Sequence, residues 1–299
     1  MNIFASYRKG LREASGRPKV VLILWAANLV FAVPAYVLFS TLFASALGPS
    51  GAAAGLMKAA DMNILFEALT TSGRPLGMLI AALLVMALLY FLASIFLTGG
   101  ILGVLIGGPG PAPKRTGRTF FGSGAALYGR FFRLTLFSLG LWLPAAVVFG
   151  LASAVVGAVT SGSTDERLSF FLTLFLAALA LFLFFLIKMI MDYARIRLAA
   201  RDTDRALPSL LWSVGFVFRR PGLTLGLYYL LGLTGLALFG TWRLLNWGIA
   251  ETSAAAVWVA FGLAQVFVAS RGWLKVAYQG AQLTNFRTNA DSPRPSGLP

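Results

Sequence analysis

The chain contains no cysteine and no histidine, and only 10 of its 299 residues are acidic. Without cysteine there is no disulfide, no thiolate chemistry and no Cys-based metal site. Without histidine the commonest proton-transfer group at neutral pH is missing. Charge is scarce as well: 12% of residues are charged, against about 25% in ordinary soluble domains.

Apolar residues take up the difference. They make up 58% of the chain, with a mean hydropathy of +0.80. A soluble fold could not cover that much apolar surface, so the expected solvent is a bilayer. Crossing ~30 Å of hydrocarbon takes about 20 apolar residues. Six stretches qualify: 20–43, 76–106, 134–159, 168–187, 223–242 and 254–270. None contains a charged residue. Pro34 and Pro144 lie inside spans, where lipid-embedded helices tolerate them. Ala44-Ser45-Ala46 has the form of a leader cleavage site, but the apolar run before it is far longer than the ~7–15 residues of a leader's core. The first span is therefore expected to be retained.

The net charge of +15 fits either nucleic acid or an anionic membrane surface. Its distribution decides between them. The N-terminal segment, the loops 107–133 and 188–222 and the segment from Arg271 hold 21 of the 25 basic residues. The other side holds Lys58, Arg74, Arg167 and Arg243, while acidic residues divide evenly. Basic residues alone set orientation. Both termini are expected in the cytoplasm, and a nucleic-acid partner is not.

Residues 1–19 place Ile3, Phe4, Tyr7, Leu11 and Ala14 on one helical stripe, with Arg8, Lys9 and Arg12 towards the opposite face. This is the pattern of a helix lying in the membrane interface. A second such helix is expected before the third span, with Phe121, Gly124, Tyr128, Phe131 and Phe132 on one face and Arg130 and Arg133 turned away. A third is expected before the fifth span, where Leu207, Leu210, Leu211, Val214, Val217 and Phe218 form the stripe and Arg219-Arg220 closes it. Superposed at an offset of 89, Arg219 falls on Arg130 and Leu223-Thr224-Leu225 on Leu134-Thr135-Leu136. The expected fold is all-α: six transmembrane helices as three hairpins, each preceded by an interfacial amphipathic helix. Residues 1–285 would form a single membrane domain, and 286–299 a flexible cytoplasmic tail. The outer loop 45–75 is expected to carry a short surface helix with Met57, Ala60, Ile64, Leu65 and Leu69 on one side.

No phosphate-binding glycine motif follows GGPGPAPKRTGR. The adjacent Asp165 and Glu166 read as solvated loop charges. Asp192 lies four residues from Lys188 and three from Arg195, the spacing of a structural ion pair on one helix. Asp202 and Asp204 read as a polar loop and the cap of the next helix. No metal site and no cofactor is expected. The candidate contacts to lipid headgroups are Arg8, Lys9, Arg12, Arg130, Arg133, Arg195, Arg219 and Arg220.

FFGSGAALYGRFFRL (120–134), MDYARIRLAARD (191–202) and SVGFVFRRP (213–221) resemble a broad group of bacterial six-helix inner-membrane proteins. Some of these are similar to the membrane domain found with glycerophosphodiester phosphodiesterases. The resemblance implies an architecture and the bacterial cytoplasmic membrane. It implies no phosphodiesterase activity, because a chain without histidine lacks the usual catalytic pair. The spans contain no ionisable residue of the kind coupled transport places at the bilayer midplane. Asn28, Asn246, Gln265 and a few serines and threonines remain as the polar positions of a permease for an apolar or lipid-like substrate, which is the alternative reading. The favoured expectation is a non-catalytic subunit, scaffold or lipid-organising factor. Its partners would be anionic lipids, with other membrane proteins or further copies of itself.

Overall fold

A computed structural model describes residues 3–47, 76–107, 116–161, 165–247, 249 and 253–289. The outer-loop helix expected within 45–75 and the glycine- and proline-rich turn lie outside the described residues. Among those described there is no strand. Among the described residues eight helices follow one another: α1 (Ile3–Ser15), α2 (Pro18–Leu47), α3 (Leu76–Ile106), α4 (Thr116–Ser161), α5 (Glu166–Ala200), α6 (Ala206–Arg219), α7 (Pro221–Trp247) and α8 (Ala254–Asn289). Six of them, all but α1 and α6, are long and apolar enough to cross a membrane.

Local chemistry explains where the helices start. α2 and α7 open on Pro18 and Pro221; proline's fixed φ suits the first helical position, where no N–H is needed. α5 opens on Asp165, whose carboxylate accepts from the Arg167 N–H at 2.9 Å. Glu166 adds a second negative charge to that first turn, where the helix dipole favours it. Pro34 and Pro144 sit inside α2 and α4 without ending them.

Several helices run further than hydropathy indicates. The aromatic-basic segment before the third span is no separate interfacial helix: α4 passes from Thr116 to Ser161 without a break. α5 continues thirteen residues beyond Ile187 to Ala200. α8 continues past Ser270 to Asn289, so 286–289 belong to a helix and not to a tail, and Phe286 is buried.

The residues fall into two compact units, Leu22–Ile95 and Met1–Val21 with Phe96–Pro299. In the smaller, Asn28 donates to the Leu24 carbonyl at 2.8 Å and accepts from the Tyr90 hydroxyl at 3.1 Å. The Phe31 and Tyr90 rings meet edge to face at 5.4 Å.

The larger unit has its core at one end, where the last turns of α3, α5 and α8 meet the first turns of α4 and α7 together with α1 and α6. Ile101, Leu102, Phe120, Phe131, Leu134, Tyr193, Leu198 and Leu231 are all at most 1% exposed. Almost every residue of α8 from Val276 to Phe286 is buried. Away from this end the spans present Leu143, Leu244, Trp247 and Trp258, each more than 70% exposed, as lipid-facing segments would.

α1 does not lie flat with its whole apolar stripe free. Ser6, Gly10 and Ala14 form its buried face, packed on Ala277, Gly280 and Ala281 of α8. Tyr7 shares a hydrogen bond with Thr234 of α7 at 2.8 Å. Phe4 alone of the large stripe residues is left exposed, at 62%. α6 divides in the same way: Leu210, Phe216 and Val217 are buried, while Leu207, Leu211 and Phe218 face outwards.

Candidate functional site

The last turns of α5 place Lys188, Asp192 and Arg195 on one helical face, because residues three and four apart are neighbours. α8 crosses this face and contributes Lys275, Tyr278, Gln279 and Gln282, which share its own stripe at the same spacing. α7 adds Tyr228. The result is a polar cluster built from three helices within the packed end of the larger unit.

Arg195 lies 3.8 Å from an Asp192 carboxylate oxygen. The amide nitrogen of Gln282 reaches the other oxygen at 3.5 Å. Lys188 closes no ion pair among the described residues, contrary to expectation; its ammonium lies 5.8 Å from the Phe184 ring centre. It acts on Asp192 only at longer range, as does Lys275 from α8. Three cations therefore share one carboxylate. At 4 Å and a surface-like dielectric, two opposite charges attract by about 4 kcal/mol, but removing them from water costs a comparable amount. The cluster is no obvious gain for stability. Beside it Tyr278 donates to the Tyr228 carbonyl at 3.0 Å, and the two rings meet at 5.3 Å. Phe185 extends the wall, 5.9 Å from Tyr228.

One turn further along, Asn285 donates to the buried Tyr193 hydroxyl at 2.8 Å, and Asn289 donates to Asn285 at 2.6 Å. The first bond ties α8 to α5, and the second, within α8, orients Asn285 for it.

The expected headgroup contacts divide into two groups. Arg130 is taken up internally: it holds Asp202 and Asp204, each at 2.5 Å, across the turn between α5 and α6. Those carboxylates do not cap α6, whose preceding residue is Arg205 with no side-chain cap. Arg195 faces Asp192 through one terminal nitrogen and keeps its Nε–H without an acceptor. Arg8, Lys9, Arg12, Arg133 and Arg219 are exposed and close no ion pair among the described residues. Arg220 is half-buried.

Three features escape sequence reasoning. Arg17 is 2% exposed and paired with Glu13, one turn back on α1; burial lowers the pKa of its guanidinium. Arg197 stacks over Trp212 at 4.6 Å and donates to the Pro208 carbonyl at 3.1 Å, clamping α6 to α5. Lys275 and the two glutamines complete the cluster. Their signal was the seven-residue spacing of Lys275 and Gln282, which marks one face of a continuing helix. No group of three acidic residues that could hold a metal occurs among the described residues.

No family model, curated protein or solved structure matches this chain.

Proposed function

We propose that this is a non-catalytic integral protein of the bacterial cytoplasmic membrane that binds and organises anionic lipid, alone or as a subunit of a larger assembly. In this reading the six spans form three hairpins with both termini in the cytoplasm, and α1 and α6 ride at the inner surface.

One observation carries the proposal. Arg8, Lys9, Arg12, Arg133 and Arg219 are exposed and unneutralised among the described residues, on the segments that converge at the packed end. Each basic residue near an anionic surface contributes about 1 kcal/mol. Phe4, Leu211 and Phe218, exposed beside these cations, supply the apolar surface that an interfacial helix inserts among headgroups. The permease alternative is the weaker one. Asn28 already has both hydrogen-bonding groups engaged within its unit, and Gln265 also has a partner; of the three named positions Asn246 alone keeps a buried side-chain oxygen without a donor among the described residues.

The test is reconstitution in nanodiscs of phosphatidylglycerol and phosphatidylcholine. The wild type should enrich phosphatidylglycerol in its lipid shell and be more resistant to thermal unfolding there. A triple charge reversal at Arg8, Lys9 and Arg12 should abolish the enrichment while leaving helicity unchanged. Equal lipid shells for both proteins would refute the reading.

A further inference from the structure

We propose that Lys188, Arg195 and Lys275, gathered around Asp192, bind a glycerol phosphate ester that keeps a free glycerol hydroxyl. That chemistry belongs to the headgroup of an anionic glycerolipid and equally to a soluble glycerol phosphate. The lipid form deepens the lipid-binding function proposed above and rests on it; the phosphate site itself does not.

Charge gives the first argument. Asp202 and Asp204 are already engaged by Arg130 and Glu13 by Arg17. Three cations and one carboxylate therefore leave a surplus of two positive charges in a partly desolvated place, with the Asp192 and Arg195 side chains 21% and 17% exposed. An anion from outside the chain restores the balance.

Unmet hydrogen bonds give the second. The Arg195 Nε–H is buried without an acceptor, and the side-chain oxygens of Gln279 and Gln282 are buried without a donor. Gln282 is 1% exposed, and its amide nitrogen points at Asp192, so its oxygen belongs to the same cluster. Lys275 makes no hydrogen bond or ion pair among the described residues. A buried polar group left unmet has lost its water without replacement, so a ligand that completes it is favoured. A bare anion would answer only the donors. A glycerol phosphate ester accepts at its phosphate from Arg195 and the lysines while a glycerol hydroxyl donates to a glutamine oxygen, so it answers both kinds.

Access gives the third. Lys188 is exposed and Asp192 and Lys275 are half-buried, so the cluster opens on one side. Phe185, Tyr228 and Tyr278 wall it with rings against which a glycerol backbone can pack.

The experiment uses the purified full-length chain in detergent, with native mass spectrometry and thermal unfolding after addition of phosphatidylglycerol, phosphatidylcholine or glycerol 3-phosphate. Phosphatidylglycerol should bind and raise the unfolding temperature, and phosphatidylcholine should do neither. Lys275→Met and Lys188→Met should each weaken the binding about tenfold, the loss of one charge-assisted contact, while Lys275→Arg retains it. Lys188 is exposed, so its variant keeps the test decisive if Lys275→Met fails to fold. Protection by glycerol 3-phosphate as strong as by the lipid assigns the site to a soluble ligand; protection by the lipid alone assigns it to the membrane. Binding that Lys188→Met and Lys275→Met leave unchanged, or that phosphatidylcholine matches, overturns the proposal. A Lys188-sensitive response to glycerol 3-phosphate in a protein without lipid enrichment would refute the surface-binding function and leave this site standing.

Discussion

Gly10 of α1 rests directly on Ala281 of α8: a Cβ added to Gly10 would fall 2.6 Å from the Ala281 Cβ and 2.6 Å from the Ala277 carbonyl oxygen. No methyl group fits there without the two helices moving apart. Gly10→Ala should therefore destabilise the protein by about 1–3 kcal/mol, the usual cost of overpacking, although alanine is the better helix former by roughly 0.5–1 kcal/mol. Gly122→Ala, with nothing within 4 Å of the added atom, should be neutral or slightly stabilising. Thermal unfolding in detergent compares the two, and equal effects would show that the contact of α1 with α8 is not tight.

The buried Arg17–Glu13 pair leads to a larger effect. Removing one partner leaves the other charge buried and uncompensated, which costs about 3–5 kcal/mol. Arg17→Met should fall in that range, and the double variant Glu13→Leu, Arg17→Met should recover part of it. A double variant as unstable as the single would place the cost in lost packing rather than in the orphaned charge.

Arg130 and its two aspartates should contribute little to stability despite their short contacts. Asp202 and Asp204 have side chains 88% and 69% exposed, and exposed ion pairs are worth about 0–1 kcal/mol. The backbone at Asp202 matters more, because its φ of 44° lies in the left-handed region, where a Cβ costs about 1–2 kcal/mol. Asp202→Gly should be more stable than Asp202→Ala by roughly that amount. High salt should weaken the ion pairs but leave this difference intact.

Membrane orientation can be read with single cysteines, since the chain has none of its own. Arg167 at the start of α5 and Arg205 before α6 are both exposed and flank opposite ends of one span. Cysteines at these positions should label from opposite sides of sealed vesicles, Arg205→Cys from the cytoplasmic side. Labelling of both from one side would sink the six-span topology. Ser209 is an unsuitable probe: it is 2% exposed, so its silence would say nothing about sidedness.

The spans were legible because hydropathy responds to long segments that face lipid, and 76–106 matches α3 residue for residue. The helix ends were not, for a physical reason. Once a helix leaves hydrocarbon and enters a protein-walled core, its buried residues become small and polar while its backbone bonds continue. Gln279, Gly280, Gln282, Thr284 and Asn285 are such residues, and they resemble a solvated tail only when read without their neighbours. The stripe of α1 misled similarly: Ser6 and Gly10, the positions that pack on α8, score as polar or neutral. The spacing of Lys188, Asp192 and Arg195 was readable within one helix. Nothing local tied Asp192 to Gln282, 90 residues away.

The seat of α1 on α8 also sets a schedule for biosynthesis. Ser15 meets Trp273 across 258 residues, and at ribosomal speeds of about 5–20 residues per second that gap lasts on the order of 10 to 50 seconds. Throughout insertion of the spans, α1 has no Ala277 or Ala281 to rest on. The face of α1 that carries Ser6, Gly10 and Ala14 stays uncovered until α8 has been made. α1 precedes α8 in synthesis by that interval, so closure of the α1–α8 contact waits for α8.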